Sequence, residues 1–297
     1  MNTATAHDPP LVRCNATLYV VATPIGNLRD ISARALELLR TAATVAAEDT
    51  RVTRRLLEHY GISARLIALH EHNEQRASGE VLALLAAGAN VALVSDAGTP
   101  GISDPGARLV ALAHAAGYCV CPVPGANAAA AAVSVSGFLS PHFLFYGFLP
   151  ARASARREAL SGLAAAPYTL VFYEAPHRVA ACVDDLTAAM GATRRVLLAR
   201  ELTKLFEETQ VCTLGAAAPW LAANTHRSKG EFVLVVEGAT ASAPDGAAVD
   251  KTLAALLEEL PLKQAVALAV KITGAARNDL YQRALVVKGR GKVKEER

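Results

Sequence analysis

Leu93-Val-Ser-Asp-Ala-Gly-Thr-Pro-Gly-Ile-Ser-Asp-Pro-Gly106 changes character within a few residues. Its start completes a short apolar run, Asn90-Val-Ala-Leu-Val94, which reads as a buried strand. Gly, Pro, Ser, Thr and Asp follow at once. A helical pattern then runs from Ala107 to Ala116. Asp104-Pro105 reads as its start, a capping carboxylate followed by proline in the first turn. The intervening loop carries three glycines, which let backbone groups approach a ligand closely. Ligands of open α/β sheets bind at the carboxyl ends of strands. The loop therefore reads as a ligand site; the plainer reading makes it a connector.

Working back toward the N-terminus, strands are expected over 17–22, 44–47 and 66–69, with helices over 31–39, 50–58 and 78–87. Thr23-Pro-Ile-Gly-Asn-Leu28 breaks the first strand without a G-x-G-x-x-G pattern, against an ordinary dinucleotide fold. Glu48-Asp49 ends the second strand, and Asp49 serves equally as a helix cap or a site residue. His70 and His72 lack a third ligand of matching pattern, so no metal site is expected. Forward of the loop, a strand over 118–123 closes on Pro124-Gly125-Ala126-Asn127, and a small-residue helix spans 128–136. Strands alternating with helices predict a parallel sheet.

The second half is patterned differently. Strands are expected over 143–148, 168–173, 195–199, 208–214 and 231–237, the fourth antiparallel, and few helices intervene. This predicts a mixed sheet. Pro176 suits a helix start, with the helix ending at Met190. An Ala, Ser, Pro and Gly-rich linker follows. Short helices over 250–260, 263–272 and 277–287, with a break at Thr273-Gly-Ala-Ala276, suggest a helix–turn–helix. The domain reading is thus a disordered tail over 1–15, α/β domains over 16–140 and 141–240, a linker over 241–249, and a helical domain over 250–297. Its basic end, from Lys288, is expected to be disordered.

The 297 residues are 52% hydrophobic, ample for a packed core. No apolar run approaches about 20 residues, so no membrane span is expected. The polar first residues lack a signal-peptide core, and a cytoplasmic protein is expected. Five scattered cysteines with no C-x-x-C pair argue against a zinc site or disulfide framework. Cys119 and Cys121 read as core thiols. The net charge of +3 decides little, but its distribution is informative. Arg51, Arg54 and Arg55, then Arg152, Arg156 and Arg157, and Lys229 read as phosphate contacts or as solvated faces.

Seven segments in order resemble one family. They are Ala22-Thr-Pro-Ile-Gly-Asn-Leu-Arg-Asp-Ile31, Glu48-Asp-Thr-Arg51, Ser95 to Gly106, Val123-Pro-Gly-Ala126, Phe172-Tyr-Glu-Ala-Pro-His-Arg178, Ala199-Arg-Glu-Leu-Thr-Lys204 and Lys229-Gly-Glu231. Together they resemble the small-subunit ribosomal RNA cytidine 2′-O-methyltransferases of the tetrapyrrole methylase superfamily. The resemblance implies two α/β domains with S-adenosylmethionine in the cleft between them, a homodimer, and a small-subunit ribosomal RNA substrate in an assembled subunit. It implies cofactor contacts at Pro24, Gly26, Asp96, Ala97, Gly98, Thr99, Pro100, Ile102, Ser103, Pro124, Gly125, Ala126 and Tyr173. Thr99 departs from the Gly-Asp-Pro loop of the porphyrin branch.

Methyl transfer to a ribose hydroxyl needs alignment and relief of one proton. Backbone carbonyls of a Gly/Pro loop suit a cationic methyl donor better than strong anions would. Glu174, His177, Glu201 and Lys204 follow strand ends of the second domain and are candidates for the base. A structural Glu174–Arg178 pair and a surface His177 are the bland alternative. The C-terminal helices read equally as a second RNA contact, a dimer prop or a cap. Two competing functions are a tetrapyrrole C-methyltransferase, which predicts a glycine-richer first loop, and a non-enzymatic nucleic-acid binder using the helix–turn–helix.

Overall fold

The structure is a computed structural model that describes residues 16–240 and 246–292. It forms two compact units, one ending at Gly238 and one beginning at Ala239. The first holds two sheets. Strands β1 (Thr17–Val21), β2 (Thr44–Ala47), β3 (Arg65–Ala68), β4 (Val91–Val94) and β5 (Cys119–Val123) lie in the order β3-β2-β4-β1-β5, all parallel. Because they are covered on both faces, β2 and β4 are buried throughout, as a continuous apolar run demands.

Helices α1 (Ala33–Thr41) and α2 (Thr50–His59) follow connections that run one way across the sheet. With Ala35, Leu39 and Leu57 they cover one face, against Val21, Val45 and Val94. Helices α3 (Glu74–Ala86) and α4 (Ala107–Ala115) follow connections running back. They cover the other face with Val81, Leu85, Leu109 and Ala113, against Leu18, Ala46 and Leu93. That division is what right-handed crossovers require. The chain leaves β1 toward β2 and leaves the neighbouring β4 toward β5, so their carboxyl ends form the topological switch point.

The second sheet is mixed: β6 (Phe143–Phe148), β7 (Thr169–Glu174), β8 (Arg195–Arg200), β9 (Glu208–Thr213) and β10 (Phe232–Val236), ordered β6-β7-β10-β8-β9. Only β6 and β7 pair in parallel. One face carries α6 (Ala153–Leu163), α7 (Val179–Met190) and α8 (Leu214–Ala222) over Leu170, Phe172, Leu198 and Leu234. The other face is covered by α5 (Ala128–Ser136), which belongs to the first half of the chain. Ala129 and Ala132 pack on Val171, Leu197, Val233 and Val235. Alanine lets that helix approach the sheet closely, and this interlock makes one unit of the two halves.

The second unit contains α9 (Gly246–Glu259), α10 (Leu262–Thr273) and α11 (Arg277–Lys292), with a core of Leu253, Val266, Ala269, Leu280 and Ala284. Gly274 closes α10 at φ 68°, a left-handed cap before the turn into α11.

Several expectations need correction. Helix α4 begins after Gly106, and its cap is Glu74, whose Oε1 accepts from the Gly106 and Arg108 N–H groups at 3.0 and 3.2 Å. Asp104 is released from that role. Helix α7 starts at Val179 rather than Pro176. Helices α6 and α8 were not expected. Helix α9 begins inside the expected linker, and α11 extends through the basic segment to Lys292. The tail over 1–15 and residues 293–297 lie outside the described residues. Cys119 is disulfide-bonded, not a free thiol.

Candidate active site

Two loops meet at the switch point. After β1, the Thr23 N–H donates to the Gly98 carbonyl at 2.8 Å, and the Gly98 N–H returns a bond to the Thr23 carbonyl at 3.0 Å. The Thr23 hydroxyl donates to the Ser95 carbonyl at 3.0 Å. Gly98 has φ 84°, a conformation that costs an L residue about 1–2 kcal/mol. Thr99 donates its hydroxyl to the Ala126 carbonyl at 3.2 Å, tying this loop to the Pro124-Gly125 turn after β5. Gly26 serves a different need. A Cβ there would lie 2.8 Å from Thr203 Oγ1 and 3.1 Å from the Leu202 carbonyl, so glycine lets the first loop touch the loop after β8.

Beside these loops lies a cleft of about 330 Å³, within the usual range for small-ligand sites. Ala97, Gly98, Ile102 and Ser103 line it from the first half, and Tyr173, Glu174, Lys204 and Phe232 from the second. Tyr173 is fixed by the Ala129 N–H, which donates to its hydroxyl at 3.2 Å. Of the expected cofactor residues, Ala97, Gly98, Ile102, Ser103 and Tyr173 thus line the cleft. Pro24, Gly26 and Asp96 line a separate cavity of about 260 Å³. Thr99, Pro100, Pro124, Gly125 and Ala126 line neither and shape the loops behind it.

The sequence reading missed Asp104, Asn127 and Ile25, all in the cleft wall. Asp104 stood in view within the opening stretch, but its role as a cap absorbed it. Asn127 is the cap of α5, accepting from the Ala130 N–H at 3.0 Å.

The four candidate bases separate. Glu174 is 2% exposed. Its Oε1 accepts from the Ala175 N–H at 2.9 Å and lies 3.1 Å from Arg178 Nε. Its Oε2 has no hydrogen-bond partner. His177 is exposed and is not part of the cleft wall. Lys204 bridges Glu201 at 2.9 Å and Glu231 at 2.8 Å. Burial alone would lower its pKa, but the two carboxylates outweigh burial and raise it. Burial likewise works to raise Glu201, and the Glu231 N–H and Lys204 overcome it, so its carboxyl falls below the ordinary value. Lys204 therefore stays an ammonium at neutral pH and has no free pair with which to take a proton. Glu201 holds this arrangement at φ 50°, and Thr203 at φ 66°.

Charge is denser near the loop than a purely backbone-shaped floor would have it, and that expectation is corrected. Burial, then repulsion from Glu48, pushes the Asp104 carboxyl up to about 7. Burial also raises Glu48 and Asp96. Glu48 Oε2 accepts from the Asp96 N–H at 3.3 Å, and Asp96 Oδ1 from the Asp49 N–H at 2.9 Å. Asp49 caps α2 and pairs with Arg51 at 2.6 Å; those hydrogen bonds from Arg51 hold its pKa down at about 2.

Among the expected RNA contacts, Arg51, Arg54, Arg55, Arg152, Arg157 and Lys229 are exposed. Arg156 is not. It is 5% exposed on the inner side of α6, with Nε 2.7 Å from Asp185 Oδ2, so it braces α6 against α7 and is withdrawn as a phosphate contact. Among the described residues, no helix is long and apolar enough to cross a membrane, and no three His, Cys, Asp or Glu side chains group as a metal site.

Residues 17–218 match the family Tetrapyrrole (Corrin/Porphyrin) Methylases, and residues 243–288 match the RsmI C-terminal HTH domain. The chain is 50% identical over 273 residues to ribosomal RNA small subunit methyltransferase I of Escherichia coli O157:H7, covering 92% of this chain and 96% of that one. It is 50% identical over 277 residues to the protein of the same name from Pseudomonas aeruginosa, covering 92% and 98%. Among solved structures, it resembles the cobalamin biosynthetic enzyme cobalt precorrin-4 methyltransferase, CbiF, at TM-score 0.57 and 18% identity, over 74% of this chain and 94% of that one. Uroporphyrin-III C-methyltransferase from Thermus thermophilus, complexed with S-adenyl homocysteine, aligns at TM-score 0.53 and 18% identity, over 74% and 97%. At these identities the solved structures show a shared fold.

Proposed function

Because the chain belongs to the tetrapyrrole (corrin/porphyrin) methylase family, and within it to the ribosomal RNA small subunit methyltransferases I, we propose that it methylates the 2′-hydroxyl of a cytidine in small-subunit ribosomal RNA, with S-adenosylmethionine as donor. The observation that carries the reading is the cleft whose wall joins the Gly98 loop to Tyr173 and Glu174. Its donor set suits that cofactor. Ile25, Phe148 and Phe232 offer apolar surface to a purine. Bound there, S-adenosylmethionine supplies an electrophilic methyl carbon.

The chain's own work is to align the hydroxyl and take its proton. Asp104 is the carboxyl suited to that, being in the cleft wall and half ionised near neutral pH. Its carboxylate oxygen would accept the hydroxyl proton as the methyl passes from sulfur to the ribose oxygen with S-adenosylhomocysteine as the leaving group, and solvent would later remove that proton. Lys204 is fixed between Glu201 and Glu231, and with Glu231 it forms part of the cleft wall.

The substrate in this reading is an assembled small subunit in the cytoplasm, gripped at phosphates by Arg54, Arg55, Arg152, Arg157 and Lys229. A homodimer would cover the apolar side chains left exposed on the first unit, including Leu139 at 95%, Leu205 at 90% and Phe206 at 67%. The first loop, Thr23-Pro-Ile-Gly26, lacks the extra glycines expected of a tetrapyrrole C-methyltransferase.

The test is incubation with labelled S-adenosylmethionine and small ribosomal subunits lacking the modification, followed by digestion to nucleosides. Label in 2′-O-methylcytidine is expected. Label in a base, or none in RNA from a folded, cofactor-binding protein, overturns the reading.

A further inference from the structure

The Thr23–Gly98 pairing borders two cavities, and each of its two loops contributes residues to both. Ile25, Ala97 and Gly98 line the larger cleft; Pro24, Gly26, Ser95 and Asp96 line the smaller cavity of about 260 Å³. The paired loops are thus a thin wall between two compartments. The far wall of the smaller one is α2, through Val52, Thr53, Arg55 and Leu56.

Resting on the function proposed above, we infer that this smaller cavity receives the acceptor nucleotide, a cytidine splayed out of its RNA, while the larger cleft takes the methyl donor. Chemistry separates the two compartments. The larger cleft has no arginine in its wall, whereas the smaller one has Arg55. Arg54 is exposed one residue away, and neither guanidinium makes an ion pair among the described residues. Arg51 is already held by Asp49. A phosphate therefore finds its cations at Arg54 and Arg55. Leu28, Val52 and Leu56 supply apolar surface for a base face, and the Asp96 carboxyl supplies an acceptor for an exocyclic amine. Placing donor and acceptor on opposite sides of one wall leaves the ribose at its edge. Asp104, in the wall of the larger cleft, feels the charges of Glu48 and of Asp96, which lines the smaller cavity.

The experiment compares Val52→Trp, which fills the cavity from a 40% exposed position, and Arg55→Glu, a surface change that spares the core. KM is measured for small ribosomal subunits lacking the modification, and affinity for S-adenosylhomocysteine by calorimetry. Both variants are expected to raise KM for subunits at least tenfold, or to abolish transfer, with cofactor affinity held within twofold. Cofactor affinity falling tenfold at unchanged subunit KM would assign the cavity to the donor and overturn the inference. Unchanged values for both quantities in Arg55→Glu would overturn it as well. A wild-type protein that methylates no RNA would instead refute the proposed function, so the two failures are distinct.

Discussion

Glu74 and Gly106 are joined across 32 residues: Glu74 Oε1 accepts from the Gly106 N–H at 3.0 Å and so caps α4 from the start of α3. This single contact frees Asp104 from the helix end and leaves it in the cleft wall. Helix N–H groups need an acceptor, but not one from the adjacent sequence.

The first prediction concerns Asp104. If its ionised form takes the hydroxyl proton, the wild-type rate should climb through about pH 7. Asp104→Asn should lose about 10²–10⁴-fold in kcat and that pH dependence, while still binding S-adenosylhomocysteine. A kcat–pH profile retained in the variant would contradict the assignment.

The same group should be visible in stability. Its folded pKa lies above the unfolded value, so the folded state holds its proton more tightly. Stability from that source is full below about pH 4 and is lost as pH rises toward about 7. Melting curves of wild type and Asp104→Asn should therefore diverge in favour of the variant over that window. Parallel curves would show that Asp104 is not buried as described.

Gly98→Val forces a β-branched residue to φ 84° and brings its side chain to Ile25. Strain of about 1–3 kcal/mol is expected. It should displace the loop and weaken S-adenosylhomocysteine binding at least tenfold, read by calorimetry. Unchanged affinity would remove Gly98 from the cofactor site.

Arg156 and Arg157 are neighbours with opposite fates. Arg156→Ala leaves the largely buried Asp185 with only the longer contact from Arg157 Nη1 at 3.6 Å and should cost about 3 kcal/mol by denaturant unfolding. Arg157→Ala, at a side chain 60% exposed, should leave stability within about 0.5 kcal/mol and weaken binding to small subunits. Equal effects on RNA binding would show that both reach phosphate.

Much of the fold is legible along the chain. Continuous apolar runs such as Val91–Val94 mark strands buried on both faces, and the alternation with helices sets a parallel first sheet. Strand signals without helices between them announce the mixed second sheet. Helices α6 and α8 escape this reading. The first hides its helical face among arginines, and the second carries Pro219 in a short alanine-rich run.

The site divides along the same line. Sequence alone determined that Ser95 to Gly106 is a glycine-bearing loop at a strand end, because positive φ and close approach at Gly98 are properties of glycine at its own position. It also determined the family, since ordered motifs survive without coordinates. Only tertiary structure decided which side of that loop each residue serves. Pro24, Gly26 and Asp96 turn from the cleft that receives Ile25, Ala97 and Gly98. Asp104 becomes a titrating wall, and Arg156 becomes a brace. Burial and charge repulsion depend on distances between residues far apart in the chain, and those exist only once β1 and β4 lie side by side and α5 has crossed onto the second sheet.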